Sequence, residues 1–483
     1  MDVAALKELL KQQQESTNKM LEDQRAFFKQ ILLQQTADGQ SVNVPAFHAF
    51  NKQLHKCVFC WSSRVYGAPL VRIEDAFLRS VRPGRGGGGG PLGLLIDPYG
   101  VHFDASQPSL LEHLLARHPL DDPALLRRAG DGIARLKAAN LSKYNDFDPD
   151  LPAPQGGYVL VVDQTAGDAS IRWGGATAQT FQQMLAQARE DFPAARILIR
   201  THPETRDGLR AGHFGPKDTD ARTQIFADPV SPWTLLAGAQ AVYTVSSLMG
   251  YEAILAGHRP KVFGQPFYAG WGLSDDVQPI DRRHRSLTVE QVFAASHILA
   301  PTWFDPCRQR LCSFEEAMDQ LEAEVRAWRE DRFGYVATGM RLWKRRPLQQ
   351  FFGRVAGVQF VDPPTKAVTR TDRPLLVWAG KEPVGFPASG RRVEDGFLRS
   401  RGLGADLIPP LSLVSDRQGI YYDPQRPSDM EHAIQTPLPA GGADRIDRAP
   451  HSGAGAGRGM DALPLWGQAD LQTPGPAGTG RAD

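Results

Sequence analysis

Three loops in the first two thirds of the chain carry polar residues directly after predicted strands. The strand VLVVDQ runs into a loop that contains Gln164 and Asp168. The strand RILIRTHP places His202 before a proline, and AVYTVSS ends in Ser246 and Ser247. In open α/β folds, ligands bind at the loops that follow the carboxyl ends of parallel strands. We therefore expect these side chains to meet at one site.

Each of these loops has both a functional and a structural interpretation. Ser246 and Ser247 lie between a strand and a helix, so their hydroxyls and the free N–H groups of the helix suit a phosphate, or they only cap the helix. Pro203 keeps His202 out of helical conformation, where the imidazole either binds a ligand or is structural. Asp168 is a candidate nucleophile or base, and the alternative is an Asx turn that stabilises its loop.

Adjacent carboxylates occur twice, in RIEDAFLRS at 72–80 and in RVEDGFLRS at 392–400. Neighbouring side chains of a strand face opposite ways, so only one of Glu74 and Asp75 is expected to face a cleft. A cleft carboxylate near other carboxylates can hold a proton at neutral pH, as a general acid must. An isolated acidic pair is usually surface charge, but its reuse together with an arginine and a serine favours a functional role.

These two motifs belong to a longer internal repeat. IDPYGVHFDASQPSLLEHLL at 96–115 returns as SDRQGIYYDPQRPSDMEHAI at 415–434, and VFCW at 58–61 matches LLVW at 375–378. A spacing near 320 residues is too long for a solenoid and indicates a duplicated globular module. The second copy has no counterpart of the three strand-end loops, so we predict that it is a fragment.

The predicted fold class is α/β, because short β-branched runs alternate with amphipathic segments from about 45 to 345. The Pro- and Gly-rich stretch at 148–157 is the expected hinge between two lobes. The predicted divisions are an N-terminal helical segment at 1–45, a first lobe at 46–150, a second lobe with closing helices at 151–345, a linker at 346–372, a truncated repeat of the first lobe at 373–434 and a disordered tail at 435–483.

Composition excludes several classes of protein. The chain has 483 residues, 41% of them hydrophobic, and no apolar run approaches the ~20 residues that span a bilayer. The start of the chain lacks the features of a signal peptide, and four cysteines fit a reducing compartment, so a cytoplasmic protein is expected. A net charge of +1 argues against a nucleic-acid partner. Cys57 and Cys60 lie within an apparent strand, and the later pair is poorly spaced for zinc, so no metal site is expected.

Six motifs together resemble a known family. EDAFLRS, EDGFLRS, DQTAGDASI, THPE, SSLMGYEAILAG and GQPFYAGWGL cover most of 57–345 and again 375–434. They are similar to those of the capsule polysaccharide biosynthesis proteins of the KpsC type in Gram-negative bacteria, which are retaining glycosyltransferases for β-Kdo (3-deoxy-D-manno-oct-2-ulosonic acid). The resemblance implies a GT-B-like module of two Rossmann-like lobes, followed here by a truncated second copy.

The resemblance also implies a reaction and a set of partners. Kdo would pass from CMP-Kdo to a Kdo acceptor on lysophosphatidylglycerol, in the linker of capsular polysaccharides. The protein would work in the cytoplasm, peripherally at the inner membrane, beside capsule assembly and export proteins. The residues placed around the donor by this resemblance are His202, Ser246, Ser247, Glu252, Gln164 and Arg79.

Catalytic roles follow from the same resemblance. Asp168 would be the nucleophile of a double displacement, because retention of configuration is satisfied by two inversions. Glu74 or Asp75 would act as acid and base on the acceptor, and Arg79 would pair with the Kdo carboxylate. CMP is a stable leaving group, so no divalent ion or other cofactor is required. Two alternatives remain: a non-catalytic capsule biosynthesis or export protein that binds lipid-linked polysaccharide, and a nucleotide-sugar epimerase.

Overall fold

A computed structural model describes most of the chain between its two terminal regions. The described residues are 71–87, 89–368, 373–400 and 408–436. The predicted N-terminal helix, the pair Cys57 and Cys60, and nearly all of the predicted disordered tail lie outside the described residues. The chain divides into two compact units, Met1–Val325 and Arg326–Asp483.

The strands of the described residues form three sheets. Their bounds are β1 Arg72–Asp75, β2 Gly93–Asp97, β3 Tyr158–Val162, β4 Arg196–Arg200, β5 Thr223–Phe226, β6 Ala239–Thr244, β7 Lys261–Val262, β8 Asp275–Asp276, β9 Pro301–Asp305, β10 Arg310–Cys312, β11 Val336–Thr338, β12 Gln359–Phe360, β13 Leu375–Trp378, β14 Arg391–Asp395 and β15 Leu413–Asp416. The first unit has sheets in the orders β1-β2-β9-β10 and β5-β4-β3-β6-β7-β8, and the second has β12-β11-β13-β14-β15.

Helices connect and cover these strands. The α-helices of the described residues are α1 Leu110–Arg117, α2 Pro123–Ala138, α3 Ala169–Trp173, α4 Ala178–Asp191, α5 Pro203–Arg206, α6 Pro232–Gly238, α7 Leu248–Leu255, α8 Val289–Phe293, α9 Phe314–Asp331, α10 Leu342–Phe352, α11 Pro364–Val368 and α12 Asp429–Gln435. A π-helix at Ala294–Leu299 follows α8 directly.

The six-stranded sheet is parallel throughout, as its β-branched runs predict. Leu160 of β3 pairs with Leu198 of β4 on one side and with Val242 of β6 on the other. All five residues of β3 are at most 3% exposed, which is typical of a central strand covered on both faces. The carboxyl ends of β3, β4 and β6 therefore lie side by side.

The four-stranded sheet differs from the predicted parallel arrangement. β1 and β2 pair antiparallel, since the described part of the connection between them has one 3-10 turn, Gly84–Gly86, and no crossover helix. β9 and β10 return to this sheet from beyond the six-stranded one, so it extends past the predicted boundary at 150. Gly93 permits this return, because a Cβ there would lie 2.4 Å from the Trp303 ring.

A buried ion pair ties α1 to the loop that follows β8. Glu112 Oε2 accepts a hydrogen bond from Arg283 Nη2 at 2.9 Å, and Arg282 also pairs with this carboxylate. The side chains of Glu112 and Arg283 are 7% and 2% exposed. Arg283 also donates to the carbonyls of Pro266 and Ala269, which fixes the aromatic segment next to the site.

The second unit includes the segment at 346–372 that was predicted as a linker. This segment holds most of α10 together with β12 and α11, and β11 pairs in parallel with both β12 and β13. Leu348 and Phe352 of α10 pack in the core of this unit. The linker prediction is wrong because β12 forms the edge strand beside β11, and Leu348 and Phe352 of α10 cover the apolar face of the sheet.

Candidate active site

A cavity of about 510 Å³ lies in the first unit at the carboxyl ends of β3, β4 and β6. Seven of the nine predicted site residues line it, namely Glu74, Gln164, Asp168, His202, Ser246, Ser247 and Glu252. The three strand-end loops thus meet, as their positions in the sequence predict. Asp75 and Arg79 are not part of the lining.

Gln164 joins two of these loops. Its Oε1 accepts a hydrogen bond from the Ser246 backbone N–H at 2.9 Å, and its Nε2 lies 3.1 Å from Ser246 Oγ. Gln164 is 5% exposed, so these bonds are protected from water. The side chain therefore holds the loop after β6 against the loop after β3.

Ser247 is the N-cap residue of α7. Its Oγ accepts a hydrogen bond from the Met249 backbone N–H at 3.3 Å. Ser247 therefore caps the helix, as its structural interpretation predicts. The Leu248 N–H at the start of α7 also lies at the cavity and has no acceptor among the described residues, so it can bind an anion.

Asp168 is the N-cap residue of α3 and uses one carboxylate oxygen for that role. Its Oδ1 accepts from Ser170 N at 2.9 Å and from Ser170 Oγ at 2.8 Å. Its Oδ2 has no hydrogen-bond partner within the part of the chain that the structure describes. Asp168 thus both stabilises its loop and keeps one oxygen at the cavity.

His202 lies at the end of β4 as the N-cap residue of α5. Its Nδ1 accepts a hydrogen bond from Glu204 N at 3.1 Å. Burial lowers the pKa of His202 to about 4, so the ring is neutral at pH 7. With Nδ1 acting as acceptor, the ring proton is on Nε2, which makes Nε2 a hydrogen-bond donor.

Glu252 lies on α7, is 7% exposed and binds protein groups. Its carboxylate accepts hydrogen bonds from Ser142 Oγ and from the Lys143 backbone N–H. Burial raises the pKa of Glu252 to about 7, and the two hydrogen bonds oppose this rise. The side chain therefore fixes the segment at 142–143, ahead of the predicted hinge, against α7.

Arg79 is 6% exposed and is engaged away from the cavity. Its Nε pairs with Asp75 Oδ2 at 2.5 Å, and its Nη1 donates to Ser80 Oγ at 2.9 Å. The repeat has the same arrangement, in which Arg399 Nε pairs with Asp395 at 2.9 Å and Nη1 donates to the following serine at 2.9 Å. Because the ion pair recurs in both units and lies outside the cavity lining in the first, it is a structural feature of the repeat.

The adjacent carboxylates separate as strand alternation predicts. Glu74 lines the cavity, whereas Asp75 faces Arg79. In the first copy of the motif, one carboxylate therefore lies at the cavity and the other holds its own loop.

Sequence reasoning missed several residues of the lining. They are His102, Lys143, Arg200, Arg206 and Arg210. The His102 ring packs edge-on against Phe77 at 5.0 Å, and burial lowers its pKa to about 3. Lys143 lies just before the predicted hinge, and ligands often bind beside hinges between lobes. Its position next to the hinge was therefore the signal in the sequence that could have identified Lys143.

Two further features concern metals and membranes. Within the described ranges, no group of three or more His, Cys, Asp or Glu side chains is placed to hold a metal ion. None of the helices in these ranges has both the length and the apolar character needed to cross a membrane.

Comparison with known proteins finds relatives in capsule and lipopolysaccharide biosynthesis. The family model for "Capsule polysaccharide biosynthesis protein" matches residues 136–302 and 388–446. The capsule polysaccharide modification protein LipA of Neisseria meningitidis serogroup B is 34% identical over 389 residues, which are 76% of this chain and 55% of LipA. The lipopolysaccharide-processing protein LpsZ of Rhizobium meliloti is 38% identical over 244 residues, 49% of this chain and 54% of LpsZ. The chain spans about half the length of these curated relatives.

A solved structure is also similar. It is the structure of Thermosulfurimonas dismutans KpsC, beta Kdo 2,4 transferase, with a TM-score of 0.52 and 34% sequence identity. The match covers 55% of this chain and 82% of that chain.

Proposed function

Because this chain belongs to the KpsC-type capsule polysaccharide biosynthesis family, we propose that its first unit transfers Kdo from CMP-Kdo to a Kdo-terminated, lipid-linked acceptor of the capsule linker. The convergence of the three strand-end loops on one cavity is the observation that carries this proposal. It is supported by the similar structure, which is that of a beta Kdo 2,4 transferase.

The cytidine monophosphate would bind at the N-terminus of α7. The Leu248 backbone N–H, which has no acceptor among the described residues, and the Ser246 hydroxyl lie there, and the neutral His202 offers its Nε2–H. These donors stabilise the negative charge that develops on the phosphate as the bond to the sugar breaks. The proposed departure of CMP therefore uses hydrogen-bond donors of the chain.

Transfer with retention would proceed by two displacements. Asp168 Oδ2 attacks the anomeric carbon, and the bond between that carbon and the phosphate oxygen breaks, with its electron pair leaving on CMP. The acceptor hydroxyl then displaces Asp168 and gives its proton to Glu74, a second carboxylate of the cavity lining. Each step inverts the anomeric carbon, so the product keeps the donor's configuration.

The test is a transfer assay with the full chain. CMP-Kdo and a Kdo-terminated lysophosphatidylglycerol acceptor are incubated with the protein, and CMP release and product mass are measured. Asp168→Asn keeps a residue that can cap α3, so we expect the fold to persist while the rate falls at least about 1000-fold. Asp395→Asn in the second unit is the matched control and should leave the rate unchanged.

Two outcomes would contradict the proposal in different ways. Full activity of Asp168→Asn would reject this residue as the nucleophile. An absence of CMP release by the unaltered chain would favour a non-catalytic protein that binds lipid-linked polysaccharide.

A further inference from the structure

The cations of the cavity lining differ in how directly they are paired within the described residues. Among the described residues, the lysine and arginine side chains that line the cavity are Lys143, Arg200, Arg206 and Arg210. The arginines are engaged by carboxylates or backbone carbonyls, as in the ion pairs Arg206–Asp146 at 2.7 Å and Arg210–Glu204 at 3.5 Å. The Lys143 ammonium has no hydrogen-bond acceptor and no ion-pair partner within the described part of the chain.

The backbone of Lys143 is fixed although its ammonium is unpaired. Its carbonyl accepts from Ser80 N at 3.3 Å, and its N–H donates to Glu252. Burial lowers the pKa of Lys143, but nearby Tyr144 and the carboxylates on β1 outweigh it and raise the pKa, so the side chain is charged at pH 7. An anionic ligand in the cavity would therefore meet a charged ammonium and could form a direct ion pair with it.

The chemistry of the proposed donor indicates which anion this is. In a 2-ulosonic acid the carboxylate is bonded directly to the anomeric carbon, so it must lie close to the nucleophile. Lys143 and Asp168 both line the cavity. The charge of each also shifts the pKa values of His102 and His202, so the two side chains lie around the same part of the cavity. Arg79, which the sequence suggested for this role, is already paired with Asp75.

We propose that the ammonium of Lys143 binds the carboxylate of the donor sugar. The inference rests on the proposed function. It adds a reason for the cation, because the carboxylate would otherwise repel Asp168 as that side chain approaches the adjacent carbon. The bound ammonium neutralises the carboxylate and lowers this repulsion.

Binding measurements separate the carboxylate from the phosphate. The full chain is titrated calorimetrically with CMP, and then, in the presence of CMP, with 2-deoxy-Kdo or its uncharged methyl ester. We expect the acid to bind roughly 10- to 100-fold more tightly than the ester, as for a charged hydrogen bond. Lys143→Met should abolish this preference and leave CMP affinity within about twofold. Lys137→Met, at an exposed lysine of α2, is the matched control and should keep the preference.

Each outcome of these titrations either supports or overturns the assignment of Lys143. A preference for the acid that persists in Lys143→Met overturns the proposal, and so does an unaltered chain with no preference. An equal loss of CMP affinity would assign Lys143 to the phosphate instead. Should Lys143→Met unfold at a lower temperature than the unaltered chain, Lys143→Gln supplies a second variant for the same titrations. Transfer is assayed separately, so a lost preference without any turnover rejects the transferase and keeps the carboxylate site.

In turnover, the same variant gives a second readout. Lys143→Met should raise KM for CMP-Kdo by roughly 10-fold or more and leave KM for the acceptor unchanged. A rise confined to the acceptor KM would place the lysine at the acceptor's carboxylate and overturn the donor assignment.

Discussion

Glu252→Gln tests whether the buried carboxyl of α7 carries its proton near neutral pH. Burial raises the pKa of Glu252 from 4.5 to about 7, so the folded protein holds a proton that the unfolded chain has lost over this range. Stability then falls as the pH rises from about 4.5 to about 7, because the native state binds more protons than the unfolded state. Glutamine occupies a similar volume and cannot ionise.

The expected magnitude follows from this shift. Each pKa unit corresponds to about 1.4 kcal/mol, so Glu252 should contribute a loss of about 2–3 kcal/mol in unfolding free energy between pH 5 and pH 8. The assay is urea denaturation followed by far-UV circular dichroism, with the unaltered chain and Glu252→Gln compared at both pH values. We expect the variant to gain about 2–3 kcal/mol relative to the unaltered chain over this interval.

Glu190→Gln is the matched control, since Glu190 is exposed on α4. It should not change the difference in stability between pH 5 and pH 8. Equal pH dependence of the unaltered chain and Glu252→Gln would refute the reasoning. It would mean that the hydrogen bonds from Ser142 and Lys143 offset burial fully and keep the carboxylate ionised in the folded protein.

The other predictions concern stability and are measured by urea denaturation. Glu112→Ala leaves Arg283 charged and buried and should cost about 3–5 kcal/mol; an unchanged stability would show that water replaces the carboxylate. Gly250→Ala places a Cβ 2.4 Å from Tyr268 Oη and should cost about 1–3 kcal/mol, unless the tyrosine moves freely. Asp97→Ala removes the acceptor of the Gly100 and Leu110 N–H groups and should cost about 2–4 kcal/mol, whereas no loss would indicate that both groups find other acceptors.

The parallel sheet and the meeting of its loops could be predicted from the sequence. Runs such as VLVVDQ identify buried strands, and parallel strands necessarily bring their carboxyl ends to one edge. This geometry places Asp168, His202 and Ser246 around one cavity before any contact is known. Alternation along a strand likewise predicts that only one of Glu74 and Asp75 faces the cleft.

The remaining parts of the fold depend on contacts between distant segments. Pairing of β2 with β9 joins residues more than 200 positions apart, and no local pattern encodes it. β12 has only two residues, too few for its sequence to distinguish it from a linker. Lys143 belongs to none of the six motifs, and apart from its place beside the predicted hinge, the cavity and the engaged arginines are what identify it.

The duplicated loop of Asp75, Arg79 and Ser80 gives every molecule an internal reference. Asp395, Arg399 and Ser400 reproduce its contacts in the second unit. A substitution in the later copy reports what this ion pair adds to folding alone. The same substitution in the earlier copy reports the effect on folding together with any effect on turnover. Subtracting the effect measured in the later copy from that in the earlier copy leaves the contribution of the ion pair to the reaction.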